Sequence, residues 1–196
     1  MQVREKSSIL FLFGKQMFRV MFGLFYRWHI EGIENIPKSG GAIIAPNHIS
    51  WFDPPLTGSA MRRDLYFMAK KELFNIPVLG WIIRFTNAFP VKRLSGDISA
   101  MRHAFALLKS GHLLLMFPEG TRSKNGKIGP AKAGTGMVAC NAQVPLVPVK
   151  IENTNAMLKF KQIKIKYGPP IYPPEKFLKS DYINLSQKVL DAVSEM

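Results

Sequence analysis

Two side chains able to handle a proton stand five positions apart in Pro46-Asn47-His48-Ile49-Ser50-Trp51-Phe52-Asp53-Pro54. Imidazole takes and gives protons near neutral pH, and a carboxylate that accepts one of its N–H groups fixes the tautomer. Held this way by Asp53, His48 keeps its other nitrogen free as a general base, which is the histidine and aspartate part of a triad without a protein nucleophile. The same carboxylate could instead cap the helix that Pro54-Pro55 opens, and a solvated loop histidine beside a capping aspartate fits the spacing equally well. A second group lies in Phe117-Pro118-Glu119-Gly120-Thr121-Arg122-Ser123. Arg122 offers a planar fork to a phosphate or carboxylate, and Gly120 lets the backbone come close to it. The plainer reading there is a glutamate–arginine pair in a surface turn. A third stretch, Ala88-Phe89-Pro90-Val91-Lys92-Arg93, ends another apolar run in cations. A proton-handling pair and two arginines together suit an anionic substrate that carries a hydroxyl.

Such residues need a scaffold, and the apolar runs predict one. Gly41 to Pro46, Leu65 to Ala69, Ala88 to Val91, Leu113 to Phe117 and Pro145 to Ile151 read as mostly buried strands, with Pro46 ending the pairing of the first. Helical patterns fall between them, the clearest from Asp97 to Lys109 with Gly111 placed to end it. Lys161 to Tyr167 alternates lysine with isoleucine, as a strand with one wet face does; it reads as an edge guarded by lysines. A last helix spans about Tyr182 to Val193. The expected fold class is α/β: a single domain with a central mostly parallel or mixed sheet flanked by helices, plus an N-terminal amphipathic membrane-associating helix. Strand ends in such sheets are where ligand-binding loops collect.

Three other chemistries fit poorly. Gly134-Thr135-Gly136-Met137-Val138-Ala139 has the GxGxxA form of a dinucleotide loop but follows no buried strand, so it reads as the start of a closely packed helix. His29, His48, His103, His112 and Cys140 have no zinc-ligand spacing, and no GxSxG elbow marks a serine hydrolase. No metal and no cofactor is expected.

The net charge is +14 in a chain of 196 residues that is 47% hydrophobic. Basic and oily together leave nucleic acid, an anionic membrane surface or an acidic small substrate as partners. Nucleic acid is disfavoured, since the cations are spread along the chain without a zinc-finger, RNP or basic-zipper pattern. Cys140, the single cysteine, excludes an internal disulfide and points to a reducing, cytosolic setting. The segment Ile9 to Tyr26 is long enough to span a bilayer, but Lys15 and Arg19 fall in its middle, each costing about 2.5–3.5 kcal/mol at a helix centre. A helix in the headgroup region fits better, with Lys15, Arg19 and Arg27 toward lipid phosphates. Rings at Phe11, Phe13, Phe18, Phe22 and Phe25 lie all round it, which also fits packing on its own domain. Pro77 to Phe89, with Val78, Leu79, Trp81 and Ile82, is a second apolar surface. The expected division is 1–28 as interface helix and 29–196 as the catalytic domain, in a peripheral or monotopic protein on the cytoplasmic face.

As an ordered set, these residues resemble the glycerolipid acyltransferases, the family that contains 1-acylglycerol-3-phosphate acyltransferase. Asn47-His48 with Asp53 resembles its NHxxxxD motif, Phe89 to Arg93 its second block, Phe117 to Arg122 its third, and Val144-Pro145-Leu146-Val147-Pro148 its fourth. The similarity covers roughly Ile30 to Tyr172. Asn87 departs from it, standing where the family often has glycine. The chain is also short, so the longer N-terminal membrane segments of some relatives are expected to reduce here to about one helix. The resemblance implies transfer of a fatty acyl group from an acyl thioester, acyl-CoA or acyl carrier protein, to the sn-2 hydroxyl of 1-acylglycerol-3-phosphate, giving phosphatidic acid. His48 is then the base and Asp53 its partner. Arg122, Arg93 and Lys70 bind the acceptor phosphate, Glu119 orients Arg122 or a glycerol oxygen, and Gly120 and Thr121 shape the loop. Glycerol 3-phosphate or another lysolipid as acceptor, or a non-catalytic lipid-binding membrane protein, are the alternatives.

Overall fold

In the computed structural model, which describes residues 9–92 and 97–196, the apolar runs pair into one seven-stranded sheet. Along the chain the elements are α1 (Ile9–Tyr26), β1 (His29–Glu31), β2 (Ala42–Pro46), α2 (Asp53–Ala60), β3 (Leu65–Lys70), α3 (Leu79–Phe85), β4 (Ala88–Val91), α4 (Ile98–Lys109), β5 (Leu113–Leu115), α5 (Ala133–Ala142), β6 (Leu146–Glu152), β7 (Lys164–Tyr167) and α6 (Lys179–Glu195). The strand order is β1-β7-β6-β2-β5-β3-β4. Strands β2 to β6 run parallel; β7 lies antiparallel to β6, with β1 parallel to β7, so the sheet is mixed.

Alternation along the strands decides which helices cover which face. Ala42 and Ile44 of β2, with Leu113 and Leu115 of β5, join the core shared with Phe22 and Tyr26 of α1 and Leu56 and Ala60 of α2. Ile43, Ala45 and Leu114 point the other way, into a core made with Ala104 and Leu107 of α4, Val138 and Ala139 of α5, and Leu185 and Val189 of α6. Both faces of β2 and β5 are therefore buried, which is why their sequences are unbroken apolar runs. Asp97 caps α4, its side chain accepting from Ala100 N at 3.1 Å. The GxGxxA stretch does open a closely packed helix: a Cβ on Gly136 would lie 2.0 Å from the Tyr182 carbonyl oxygen of α6.

Three expectations are corrected. Strand β7 is no edge, because β1 covers it; the edges are β1 and β4. Its lysines stay on the wet face, with Lys164 opposite Glu152 and Lys166 opposite Glu31, opposite charges across neighbouring strands. The three-residue β1 is too short to announce itself as an alternating pattern. Pro46 does not end the pairing, since it remains in register with Val149 of β6. Lys15 does not face outward, because its Nζ bonds the Arg62 carbonyl at 3.2 Å and pairs with Asp64 at 3.4 Å.

Helix α1 divides its rings between two environments. Phe22 is fully buried, Phe11 and Tyr26 nearly so, and Phe18 stacks on Phe22 with centroids 5.8 Å apart. Leu12, Phe13, Met17, Val20, Leu24 and Phe25 stay exposed, as do Val78, Trp81 and Ile82 in and beside α3. No helix among the described residues is long and apolar enough to cross a membrane.

Candidate active site

Because β2, β3, β4, β5 and β6 run parallel, the segments that follow them emerge at one end of the sheet, beyond the carboxyl ends of the strands. His48 and Asp53 follow β2, Glu119 and Arg122 follow β5, and Thr154 follows β6. Asn47 sets the exit of β2 in place. Its side-chain amide donates to the Ile151 carbonyl at 3.0 Å and accepts from Ile151 N at 2.8 Å, which extends the ladder with β6 by a side chain. The chain can then turn away from the sheet at His48 without leaving backbone groups of β6 unpaired.

The His48 Nδ1–H donates to Asp53 Oδ2 at 2.9 Å. Asp53 is fully buried, and the same oxygen accepts from Ile49 N at 2.8 Å and Ser50 N at 2.7 Å. Its other oxygen, Oδ1, accepts from the Thr154 hydroxyl at 2.6 Å. The carboxylate thus organises the loop before α2 and makes no side-chain cap on that helix. Four donors satisfy a buried negative charge that would otherwise be very costly. The Phe117 ring stacks on the imidazole, centroids 3.8 Å apart and planes inclined by 17°. The imidazole is largely covered, and its Nε2 has no hydrogen-bond partner among the described residues.

Glu119 is buried too, but it holds backbone and does not touch Arg122. Its Oε1 accepts from His48 N at 2.8 Å and its Oε2 from Gly129 N at 2.8 Å, while Ser123 N donates to the His48 carbonyl at 2.8 Å. The loops after β2 and β5 are thereby clasped together. Gly120 has φ +67°, a left-handed conformation suited to glycine. Arg122 lies exposed over the Trp51 ring, its Cζ 4.4 Å from the centroid. Thr121 is exposed beside it. Lys70 ends β3 at the same end of the sheet, with β5 between β3 and β2, and pairs with Glu72 at 3.6 Å. Arg93 lies outside the described residues. Asn87 has no left-handed backbone, so a side chain is accommodated there; its carbonyl accepts from Phe67 N at 3.1 Å.

The acyltransferase family model matches residues 27–152, which takes in every one of these segments except Thr154. The chain belongs to the acyltransferase family. It is 31% identical over 159 residues to a chloroplastic 1-acyl-sn-glycerol-3-phosphate acyltransferase of Brassica napus, covering 76% of this chain and 46% of that protein. A 1-acyl-sn-glycerol-3-phosphate acyltransferase of Bacillus subtilis is 30% identical over 159 residues, covering 79% of this chain and 76% of its own. The chain thus spans about half the length of the Brassica relative and three quarters of the bacterial one. Among solved structures, the 1-acyl-sn-glycerophosphate acyltransferase PlsC of Thermotoga maritima superposes with a TM-score of 0.75 at 32% identity, over 95% of this chain and 76% of that one.

Thr154 and Phe117 are the contributors that residue spacing did not single out for roles. Thr154 lies 101 positions from the carboxylate it binds, and no local pattern marks it. It holds Asp53 Oδ1 and so sets the direction of Oδ2 toward the imidazole. Thr154→Val should lower kcat about tenfold, and Thr154→Ser should restore most of it. The estimate takes part of the roughly 1.5–3 kcal/mol typical of a hydrogen bond to a charged group as lost orientation. Steady-state kinetics on the two variants checks this, and a parent-like Val variant beside a defective Ser variant would mean that the methyl packing matters and the hydroxyl does not.

Proposed function

We propose that the protein transfers a fatty acyl group from an acyl thioester to the free hydroxyl of a lysophospholipid, 1-acylglycerol-3-phosphate above all, and so makes phosphatidic acid. The observation that carries this reading is the His48–Asp53 contact, with the carboxylate buried and fully hydrogen-bonded and the outer imidazole nitrogen without a partner among the described residues. A binding protein has no need of a base held in one tautomer. Nε2 takes the proton of the acceptor hydroxyl as its oxygen attacks the thioester carbonyl. A C–O bond forms, the C–S bond breaks, and the departing thiolate recovers the proton from the imidazolium that Asp53 faces. No acyl-enzyme is involved. The relatives' names support the acceptor, and the four motif blocks support the reaction class. Transfer of a labelled acyl group from acyl-CoA and from acyl carrier protein to lysophosphatidate, glycerol 3-phosphate and a neutral lysolipid tests the whole reading.

Arg122 is the acceptor's phosphate ligand in this reading. It is exposed, stacked on Trp51 and free of any carboxylate partner among the described residues, and a guanidinium on a ring presents its fork edge-on to a phosphate. Arg122→Ala should reduce kcat/KM for lysophosphatidate about 10- to 100-fold, the range of one or two charge-assisted hydrogen bonds, and change a neutral acceptor little. Equal loss with both acceptors would remove the phosphate role.

The exposed apolar side of α1 is where the protein meets the membrane. Removing residues 1–28 is a poor test of this, because it strips Phe22 and Tyr26 from the core. Changing Leu12, Phe13, Leu24 and Phe25 to serine touches only exposed side chains. That variant should lose at least tenfold in binding to anionic liposomes while its thermal unfolding stays near the parent's, since each apolar side chain buried in lipid is worth about 1.5–3 kcal/mol. Unchanged co-sedimentation would exclude α1 as the contact.

A further inference from the structure

The loop that carries Arg122 has cations on two sides. Arg122 turns onto Trp51, whereas its neighbours Thr121 and Ser123 line a separate cleft of about 440 Å³, of which Arg122 is not a part. Three lysines border that cleft, Lys124, Lys127 and Lys132. All three are exposed, and none has an ion-pair partner among the described residues. Glu119 is the one carboxylate in the lining, and its two oxygens are taken by His48 N and Gly129 N, each at 2.8 Å. Its hydrogen bonds are thus made to backbone, and with three lysines against one carboxylate the lining keeps a net positive charge. Lys132 is tied to the site at two points. Its N–H donates to the Pro118 carbonyl at 2.8 Å, and its stem crosses Gly120, where an added Cβ would lie 2.8 Å from Lys132 Cδ.

Three ammonium groups around one concavity repel each other unless an anion lies between them, and the walls concentrate the field that draws one in. The volume is within the range of about 300–1,000 Å³ usual for small-molecule sites, more than a lone ion needs. Resting on the acyl-transfer reading above, we infer that this lysine cleft binds the phosphate groups of the acyl donor, while Arg122 on the other side of the loop serves the acceptor. The reaction joins two substrates that each carry phosphate and must be held at once, so two separate cationic sites flanking one catalytic loop answer a need that a single site does not. Acyl-CoA and acyl carrier protein share this chemistry, since each presents its thioester on a phosphopantetheine arm. Glu119 links the cleft to the base, because the carboxylate that forms part of its wall also holds His48 N.

The test replaces all three lysines at once, Lys124→Ser, Lys127→Ser and Lys132→Ser, all surface positions whose backbone bonds survive the change. The quantity to read is kcat/KM for a phosphate-bearing donor divided by that for the same acyl group on N-acetylcysteamine, a thioester without phosphate. We expect the quotient to fall at least tenfold and the Kd for CoA itself, measured by calorimetry without turnover, to rise at least tenfold. A fall with acyl-CoA and acyl carrier protein alike assigns the cleft to the pantetheine phosphate; a fall with acyl-CoA alone assigns it to the nucleotide phosphates. A quotient unchanged within twofold, or an effect confined to the KM of lysophosphatidate, overturns the assignment. CoA binding that the triple variant loses would uphold the cleft even if no acceptor were acylated, so failure of the transfer reading is separately visible.

Discussion

Replacing His48 with alanine is expected to lower kcat by about 10²–10⁴-fold, the contribution general-base catalysis typically makes. The structure gives reason to expect that the fold survives. Asp53 Oδ2 keeps its bonds from Ile49 N and Ser50 N, and Oδ1 keeps the Thr154 hydroxyl, so the buried charge remains served when the imidazole is gone. The clasp through Glu119 also persists, because it uses the His48 backbone N–H and not the ring. Liposome binding and the unfolding temperature should thus stay near the parent's, and the loss should appear in kcat with lysolipid binding retained. Activity above about a tenth of the parent's would exclude His48 as the base, whatever the geometry suggests.

What could be read in advance follows from how locally each feature is encoded. Buried strands such as Ala42–Pro46 and Leu113–Leu115 are continuous apolar runs because both faces are covered, so their positions, and with them the strand-end placement of His48 and Glu119, were legible within a residue or two. His48 and Asp53 sit in one turn, so their pairing could be anticipated from spacing. The role of Glu119 could not. A glutamate next to Gly120 and three residues from Arg122 invites an ion pair, yet it is buried with both oxygens on backbone N–H groups, one from Gly129 ten positions on and one from His48 in another loop. Burial beside unpaired backbone donors outweighs a nearby guanidinium that can remain in water over an indole ring.

The same distinction governs α1. Its sequence shows large rings on every side, and a helix of that kind can be sheathed by protein, by lipid, or by one on each side. Tertiary packing divides it: Phe11, Phe18 and Phe22 turn inward, while Phe13 and Phe25 stay outside. Lys15, a natural headgroup ligand by pattern, is drawn to Asp64 and the carbonyls of Arg62 and Arg63, which lie 47 to 49 positions away. The charge pattern of one helix cannot register an aspartate that only folding brings near. Of the three cations first assigned to headgroups, Arg19 and Arg27 remain exposed.

Asp53→Asn separates the charge of the orienting residue from its shape. With its amide oxygen in the place of Oδ2, asparagine can still accept from Ile49 N, Ser50 N and His48, and its amide nitrogen can donate to Thr154, whose hydroxyl rotates to accept. The loop should therefore hold. Stability should fall by only about 1–3 kcal/mol, because charge-assisted bonds become neutral ones. Catalysis should suffer far more. When His48 takes the acceptor proton it becomes a cation, and in a covered, low-dielectric site a facing carboxylate stabilises that cation where a neutral amide does not. A kcat loss of about 10²-fold or more is expected, close to that of His48→Ala. The double variant should be little worse than either single one, since the two residues act as a unit. Asp53→Ala supplies the contrast, leaving the buried donors of Ile49, Ser50 and Thr154 without an acceptor and lowering stability further than Asn does. Calorimetry and steady-state kinetics on this set decide the point: if Asn and Ala lose activity only in proportion to stability, Asp53 is a structural anchor of the loop and its charge plays no part in the proton transfer.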